Sequence, residues 1–319
     1  MALELPPWLE ARAIRYAGRG VFAVRQLPRG GLVLSAKPIM RTISRDAKPF
    51  RCCFCFSRSE LALSEVCRCR SAWCSPTCRH LDEAHAAECV LLAQLASASA
   101  KVPSEVWENA ALLASLRASL WADPSREAEL EELMQEPPSR AGARRRQRCR
   151  AQALQLLGLE GLAGPGARAL GAMPLNAFGL FAEDKQEGQC LAPVASLLNH
   201  SCIPNCVHRI EHGLVCLYAL RDIQVDEEIT FSYIDVSTPS EDRKRLITSS
   251  WNFSCCCDRC TGKKPDILAA FDAEHVCACG ALLVHRDDCC TDKSPLVLHL
   301  ILRCYVLKTL CFPRRSLNL

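Results

Sequence analysis

The stretch that decides the fold is Leu197-Leu198-Asn199-His200-Ser201-Cys202-Ile203-Pro204-Asn205-Cys206, followed after a gap by Asp226-Glu227-Glu228-Ile229-Thr230-Phe231-Ser232-Tyr233. Asn199 and His200 set an amide beside an imidazole at a turn, a pairing suited to a polar ligand. The acidic turn at Asp226 to Glu228 runs into a segment of strand texture that ends in Tyr233. Alone, each feature is weak, because a tyrosine that closes a strand is most often an ordinary boundary residue.

Upstream of this stretch, residues 8–43 alternate apolar and polar positions around Gly18-Arg19-Gly20 and Gly30-Gly31. That pattern predicts short strands, about two or three, joined by tight turns. Strand texture returns over residues 176–236, with Gly213 expected to turn a hairpin between Val207-His208-Arg209-Ile210 and Leu214-Val215-Cys216-Leu217. From Val90 to about Leu162 the composition shifts to Ala, Leu, Glu and Arg. Helical spacing there is carried by Trp107, Ala110, Ala111, Ala114, Leu116 and Leu120, with breaks at Asp123-Pro124 and Pro137-Pro138. The Gly/Ala/Pro-rich stretch from Gly161 to Pro174 reads as a linker. Arg144-Arg145-Arg146-Gln147-Arg148 reads as a solvated helix face rather than a nuclear signal or an acidic-surface contact.

The compositional outlier is 23 cysteines in 319 residues. The start, Met1 to Trp8, is too short and too acidic for an export signal, so a cytoplasmic and nuclear location is expected. In that reducing setting clustered thiols serve as metal ligands rather than disulfides. No uncharged apolar run of about 18 residues occurs. The nearest, Pro295 to Phe312, is broken by His299, Arg303 and Lys308 and is expected to be a buried helix, so no membrane contact is expected. A net charge of +4 gives no argument for nucleic-acid binding.

Between residues 52 and 89 the donors read Cys52-x2-Cys55-x11-Cys67-x-Cys69-x4-Cys74-x3-Cys78-x6-His85-x3-Cys89. Zinc takes a tetrahedral set of soft donors, and short gaps let one turn present two of them. Eight donors complete two closed sites, and closed sites are structural. Such metal supplies about 10–16 kcal/mol of apparent folding energy to small modules that have little core of their own. Cys53 is an alternative ligand for the first site, and His80 is a rival histidine whose position two residues after Cys78 fits poorly. Further on, Cys255-x-Cys257-x2-Cys260 offers three donors and needs a fourth, with Cys256 a bystander. Cys277, Cys279, Cys289 and Cys290 form a candidate for a further zinc site, against which the adjacency of Cys289 and Cys290 counts.

Taken together and in this order, Gly18-Arg19-Gly20, the Asn199-His200-Ser201-Cys202 segment and the Glu227-Glu228…Tyr233 segment resemble the signature of a SET domain. The Cys/His cluster between the first strands and the rest resembles a MYND zinc finger. Over roughly residues 10–262 the chain therefore resembles the SET-and-MYND (SMYD-like) family of protein-lysine methyltransferases. The fold implied is α+β: a β-rich SET domain split by a MYND finger and a helical insert, and closed by a zinc-binding post-SET segment. The expected boundaries are 1–48 for the SET N-terminal part, 49–90 for the finger, 91–172 for the insert and 173–236 for the SET core. Residues 237–262 are the expected post-SET segment, and 263–319 a cysteine-containing tail that starts a helical C-terminal region.

The resemblance also implies roles. Cys52, Cys55, Cys74 and Cys78 would hold one zinc ion, and Cys67, Cys69, His85 and Cys89 a second. The Cys67–Cys69 gap is one residue where the family usually has two. Cys202 would join Cys255, Cys257 and Cys260 on a third ion, giving about three structural zinc ions. S-adenosylmethionine would be bound by Ala17, Gly18, Arg19, Asn176, Asn199, His200, Tyr233 and Phe253, with Tyr233 as the catalytic tyrosine. Trp251 stands where relatives often carry a channel tyrosine. The implied activity is methyl transfer to lysine side chains of histone or non-histone proteins. The finger would bind proline-rich peptide partners, and no direct nucleic-acid contact is expected. The rival expectation is a catalytically weak or inactive scaffold that recruits proline-rich partners.

Overall fold

The computed structural model describes residues 3–14, 18–98, 101–137, 142–182 and 185–263. Ala17 and the cysteines at 277, 279, 289 and 290 lie outside the described residues, as does the expected helix at 295–312.

The chain begins with four strands rather than the expected two or three: β1 (Leu9–Ile14), β2 (Gly18–Ala23), β3 (Leu32–Ala36) and β4 (Met40–Ile43). The cysteine-rich stretch holds two short strands, β5 (Glu65–Val66) and β6 (Ala72–Trp73), and helix α1 (Pro76–Leu81). Five helices follow: α2 (His85–Ala98), α3 (Ser104–Ala122), α4 (Glu127–Glu131), α5 (Ala143–Leu157) and α6 (Ala163–Asn176). Next come β7 (Ala177–Ala182), β8 (Lys185–Leu191), the short helix α7 (Pro193–Ser196) and β9 (Asn199–His200). The last elements are β10 (Cys206–Glu211), β11 (Leu214–Ala219), β12 (Thr230–Phe231) and α8 (Ser240–Trp251).

These elements group into two units that interleave along the chain. The first is chiefly residues 35–196, with the hairpin tip at 210–215. Its core is helical. Helix α3 is buried on nearly every side, through Val106, Trp107, Ala110, Ala111, Leu113, Ala114 and Leu116. It therefore lacks the polar face of a surface helix. The antiparallel sheet β4–β8–β7 packs in the same unit, with Met40 opposite Leu191 and Ala177 opposite the same residue on the other side. Asp123 ends α3, and its carboxylate accepts from the Ser125 N–H at 3.1 Å, which starts the next turn. The basic run lies on α5, where Arg145 pairs with Glu105 and Arg146 with Glu136.

One expectation fails here. Gly161 to Pro174 is not a linker, because Ala163–Asn176 is helical with Pro174 inside. Packing explains it: a Cβ at Gly166 would sit 2.8 Å from Leu113 Cδ2. The small residues let α6 press against its neighbours, and that burial outweighs a weak helix propensity. The early Pro165 falls in the first turn, where its missing N–H costs nothing.

The second unit comprises chiefly residues 5–34, 197–209 and 216 onward. It contains the β1–β2 hairpin, most of the three-stranded sheet β10–β11–β3, and a parallel pair, β12 with β9. The β10–β11 turn has positive φ at both His212 (51°) and Gly213 (80°), as a two-residue hairpin turn requires. The expected strand up to Tyr233 is shorter than its texture suggests and stops at Phe231. Among the described residues no helix is long and apolar enough to cross a membrane.

Candidate active site

In the second unit β9 and β12 run parallel, with Asn199 opposite Thr230 and His200 opposite Phe231. This short pairing brings the two signature segments together. Asn205 fixes the acidic turn from inside. Its Nδ2 donates to Glu227 Oε1 at 3.0 Å and to the Glu228 carbonyl at 2.7 Å, while its Oδ1 accepts the Thr230 N–H at 2.8 Å. All three groups belong to the turn that leads into β12, so one amide sets its course.

Asn199 reaches the other way. Its Nδ2 donates to the Arg19 carbonyl at 2.7 Å and to Glu228 Oε1 at 2.8 Å. Both amide hydrogens are thereby committed to protein, and the side chain acts by holding the Gly18–Gly20 segment in place. Gly20 permits the arrangement, since a Cβ there would sit 2.6 Å from Glu228 Oε1. Gly18 itself has φ of +79°.

Tyr233 is gripped at both ends. Its backbone N–H donates to His200 Nδ1 at 3.0 Å, and its hydroxyl donates to the Leu198 carbonyl at 2.7 Å. Burial, with the Glu228 charge adding to it, pushes the phenol above its ordinary pKa, so it stays protonated at neutral pH. Rings surround it: Phe231 at 5.1 Å between centroids, with His200 and Trp251 each at 5.3 Å. Phe253 stands 6.3 Å from His200. Helix α8 places Trp251 and ends at Asn252, whose φ of 60° turns the chain toward Phe253 and the last cysteines.

Asn176 belongs to the first unit. It is buried, and its Nδ2 donates to the Met134 carbonyl at 2.9 Å and the Ala172 carbonyl at 2.8 Å. Only its Oδ1 is left for a ligand. Glu228 and the Leu198 carbonyl were not singled out from sequence. Glu228 lay within the quoted motif but without a partner to give it a role, and a backbone carbonyl carries no residue-level signal.

The described cysteines carry no disulfide. Donor atoms converge in three tetrads, each within 4.8 Å: Cys52, Cys55, Cys74 and Cys78; Cys67, Cys69, His85 and Cys89; and Cys202, Cys255, Cys257 and Cys260. Tetrahedral zinc–thiolate bonds of about 2.3 Å put sulfurs about 3.8 Å apart. The separations match: Cys55–Cys74 is 3.6 Å, Cys67–Cys89 is 3.5 Å and Cys202–Cys260 is 3.6 Å. At least one thiol in each set is shifted toward the thiolate that a metal needs, and in the second set both Cys67 and Cys69 are. A hydrogen bond from Cys52 lowers Cys55 to about 4, and bonds from Cys202 and then Cys255 lower Cys257. Burial opposes the shift at Cys69, yet bonds from His85 and Ser71 bring it to about 6. The donor sets fit about three zinc ions.

The shortened Cys67–Cys69 gap is absorbed by the backbone. Arg70 adopts a left-handed φ of 65°, and the Cys67 N–H donates to the Ser71 carbonyl at 2.9 Å, closing a tight turn. Cys53 is outside the first tetrad, His80 is exposed, and Cys256 is exposed and outside the third.

Residues 18–234 match the family model described as the SET domain. The chain belongs to the SET-domain family. Within that family its relatives include SMYD proteins, to which it is similar. It is 30% identical over 287 residues to "N-lysine methyltransferase SMYD2" of Gallus gallus, covering 83% of this chain and 62% of that protein. Against the Homo sapiens protein of the same name the figures are 28% over 271 residues, 78% of this chain and 59% of the relative. "Histone-lysine N-methyltransferase SMYD3" of Homo sapiens is 41% identical over 85 residues, 27% of this chain and 20% of that one. This SET-domain chain thus spans about 60% of the length of the SMYD2 relatives it matches. The two tetrads of the first unit fit a MYND finger, and the third fits a post-SET zinc site.

Proposed function

We propose that this chain transfers a methyl group from S-adenosylmethionine to lysine side chains of histone or non-histone proteins. The observation that carries the reading is the two-ended grip on Tyr233 by the Leu198–His200 segment, within a group of aromatic rings. The names of the SMYD2 and SMYD3 relatives support it.

When bound, the donor supplies an electrophilic methyl on a sulfonium. The chain has to align an amine with it and remove the amine's proton, which is mainly a task of positioning. Rings of Phe231, Tyr233 and Trp251 form an apolar wall that favours the neutral amine by desolvation. Tyr233 keeps its proton, so it orients through its oxygen rather than acting as a base. The Leu198 carbonyl fixes the direction of that hydroxyl. Asn199 holds the Gly18–Gly20 loop, which we assign to the donor together with Ala17 and Phe253.

We assign the finger to partner binding. Phe50, Leu61, Val66 and Leu81 are exposed apolar side chains in or beside the cysteine-rich stretch, a surface suited to proline-rich segments. The chain is proposed to work in cytoplasm and nucleus, on protein rather than nucleic acid.

Radiolabelled methyl transfer to a protein and peptide library, with calorimetry of the donor, tests the reading. Transfer to lysine is the expected result. Zinc-replete protein with no affinity for the donor or its demethylated product would overturn it.

A further inference from the structure

His200 is engaged at both ring nitrogens. Its Nδ1 accepts the Tyr233 backbone N–H, so that nitrogen carries a lone pair and the proton of the neutral ring sits on Nε2. Nε2 lies 3.2 Å from Cys202 Sγ. That sulfur belongs to a tetrad whose four members are all thiols. Four thiolates already close a tetrahedral zinc set, so the imidazole is not needed as a ligand. With its proton on Nε2 it also has no lone pair there to give. What it offers is an N–H directed at a metal-binding thiolate, the kind of outer contact that orients a ligand and steadies its charge.

We infer that His200 is a positioning residue that ties the third metal tetrad to the backbone of Tyr233, and that its side chain does not bind the methyl donor. The sequence resemblance had placed His200 at the donor. Its two nitrogens are instead spent on Tyr233 and Cys202, three residues on one short path. Metal loading of the tetrad and the placement of the Tyr233 hydroxyl then depend on the same ring. The inference deepens the methyltransferase reading and rests on it only where activity is measured.

Zinc release from the zinc-replete full chain, followed with a chromophoric chelator, tests it. Asparagine presents an oxygen where Nδ1 stands and nothing at Nε2. Glutamine carries an N–H to the Nε2 position and offers nothing at Nδ1. In His200→Asn, one ion per chain should leave about tenfold faster or more, while the others leave as in wild type and show that the chain is folded. In His200→Gln that ion should leave at close to the wild-type rate, with kcat reduced and KM for the donor unchanged. Donor affinity by calorimetry in excess zinc, which keeps the third tetrad loaded, should be unchanged in both.

Wild-type release from His200→Asn overturns the inference, as does a loss of donor affinity in both variants with zinc release unaltered. If His200→Asn sheds all of its metal, His200→Gln decides: retention supports the tie and rapid loss of one ion refutes it. Release is read with neither donor nor substrate present. The release rates therefore mean the same if methyl transfer is never found, which separates this inference from the enzymatic reading.

Discussion

The hydroxyl of Tyr233 donates to the backbone carbonyl of Leu198 at 2.7 Å. A phenol held this way presents lone pairs, not a proton, to anything that approaches it. Tyr233→Phe removes that oxygen while keeping the ring stack with Phe231 and Trp251. Methyl transfer in a single turnover should fall by about 10²-fold or more, the usual cost of losing one orienting polar group at a reacting centre. Donor affinity should hardly change. Stability should drop by about 1 kcal/mol, because the Leu198 carbonyl loses its donor. Retained single-turnover transfer would remove Tyr233 from the reaction.

Asn199 makes a separate case, since its amide joins Arg19 to Glu228. Asn199→Asp replaces that donor with a carboxylate facing one carboxylate and one carbonyl. The result should be a loss of about 1–3 kcal/mol in denaturant unfolding, from broken bonds and like-charge contact. Asn199→Ala should lose less stability but weaken donor binding, because the Gly18–Gly20 segment is no longer held. Calorimetry and urea titration of both variants check this. Donor affinity unchanged in Asn199→Ala would show that the loop holds its shape without the clamp.

How much of the fold and site is legible in the sequence follows from the kind of signal each residue carries. The tetrads are readable because metal geometry forces short, regular gaps between donors, and the pairs at 52/55, 74/78 and 257/260 display them. The Gly213 turn is readable because φ is positive there, which few other residues tolerate. Helix α6 is not. Its glycines and prolines argue for a loop locally, and only the close approach to Leu113 reverses that. The end of β12 is misplaced by the sequence pattern because alternation of side chains continues past Phe231 while the backbone pairing does not. The hydrogen bonds that Asn199 and His200 make within the protein are not legible for a related reason. A motif gives residue types, but which hydrogen bonds they spend on their own protein depends on groups far away in sequence, such as Arg19 and Tyr233.

The acidic turn gives a pH dependence. Burial favours the protonated form of Glu227, but hydrogen bonds from Arg221, Asn205 and the Gln224 N–H outweigh it and bring its pKa to about 2. A carboxyl whose folded pKa lies below its unfolded one stabilises the fold above the unfolded value, about 4.3. That contribution is lost as pH falls from there through about 2. Arg221 is half-exposed, so screening reduces the effect to on the order of 1–2 kcal/mol. Glu227→Gln should be less stable than wild type at pH 7, and the difference should shrink as pH falls below about 4. Taking the difference between the two proteins cancels the acid-induced loss of metal that both share. A stability gap constant from pH 7 to the acid limit would mean that Glu227 is not depressed.

Metal counting separates the tetrads from the bystander thiols. Zinc-replete wild type should hold about three ions per chain by elemental analysis. Cys256→Ser and Cys53→Ser should keep all of them, since both sulfurs stand outside the converged sets. Cys74→Ser and Cys257→Ser should each lose one, because an incomplete set of three thiols binds far more weakly than a closed one. Their consequences should differ. Cys74 belongs to the first unit and its loss should leave donor affinity in place, whereas Cys257 belongs to the unit that holds Tyr233 and Phe253. Losing that ion should free the segment that carries Phe253 and weaken donor binding together with transfer. A Cys256→Ser protein that lost an ion would show that the third site is built from other thiols than the four that converge, and would undo the link drawn between that site and His200.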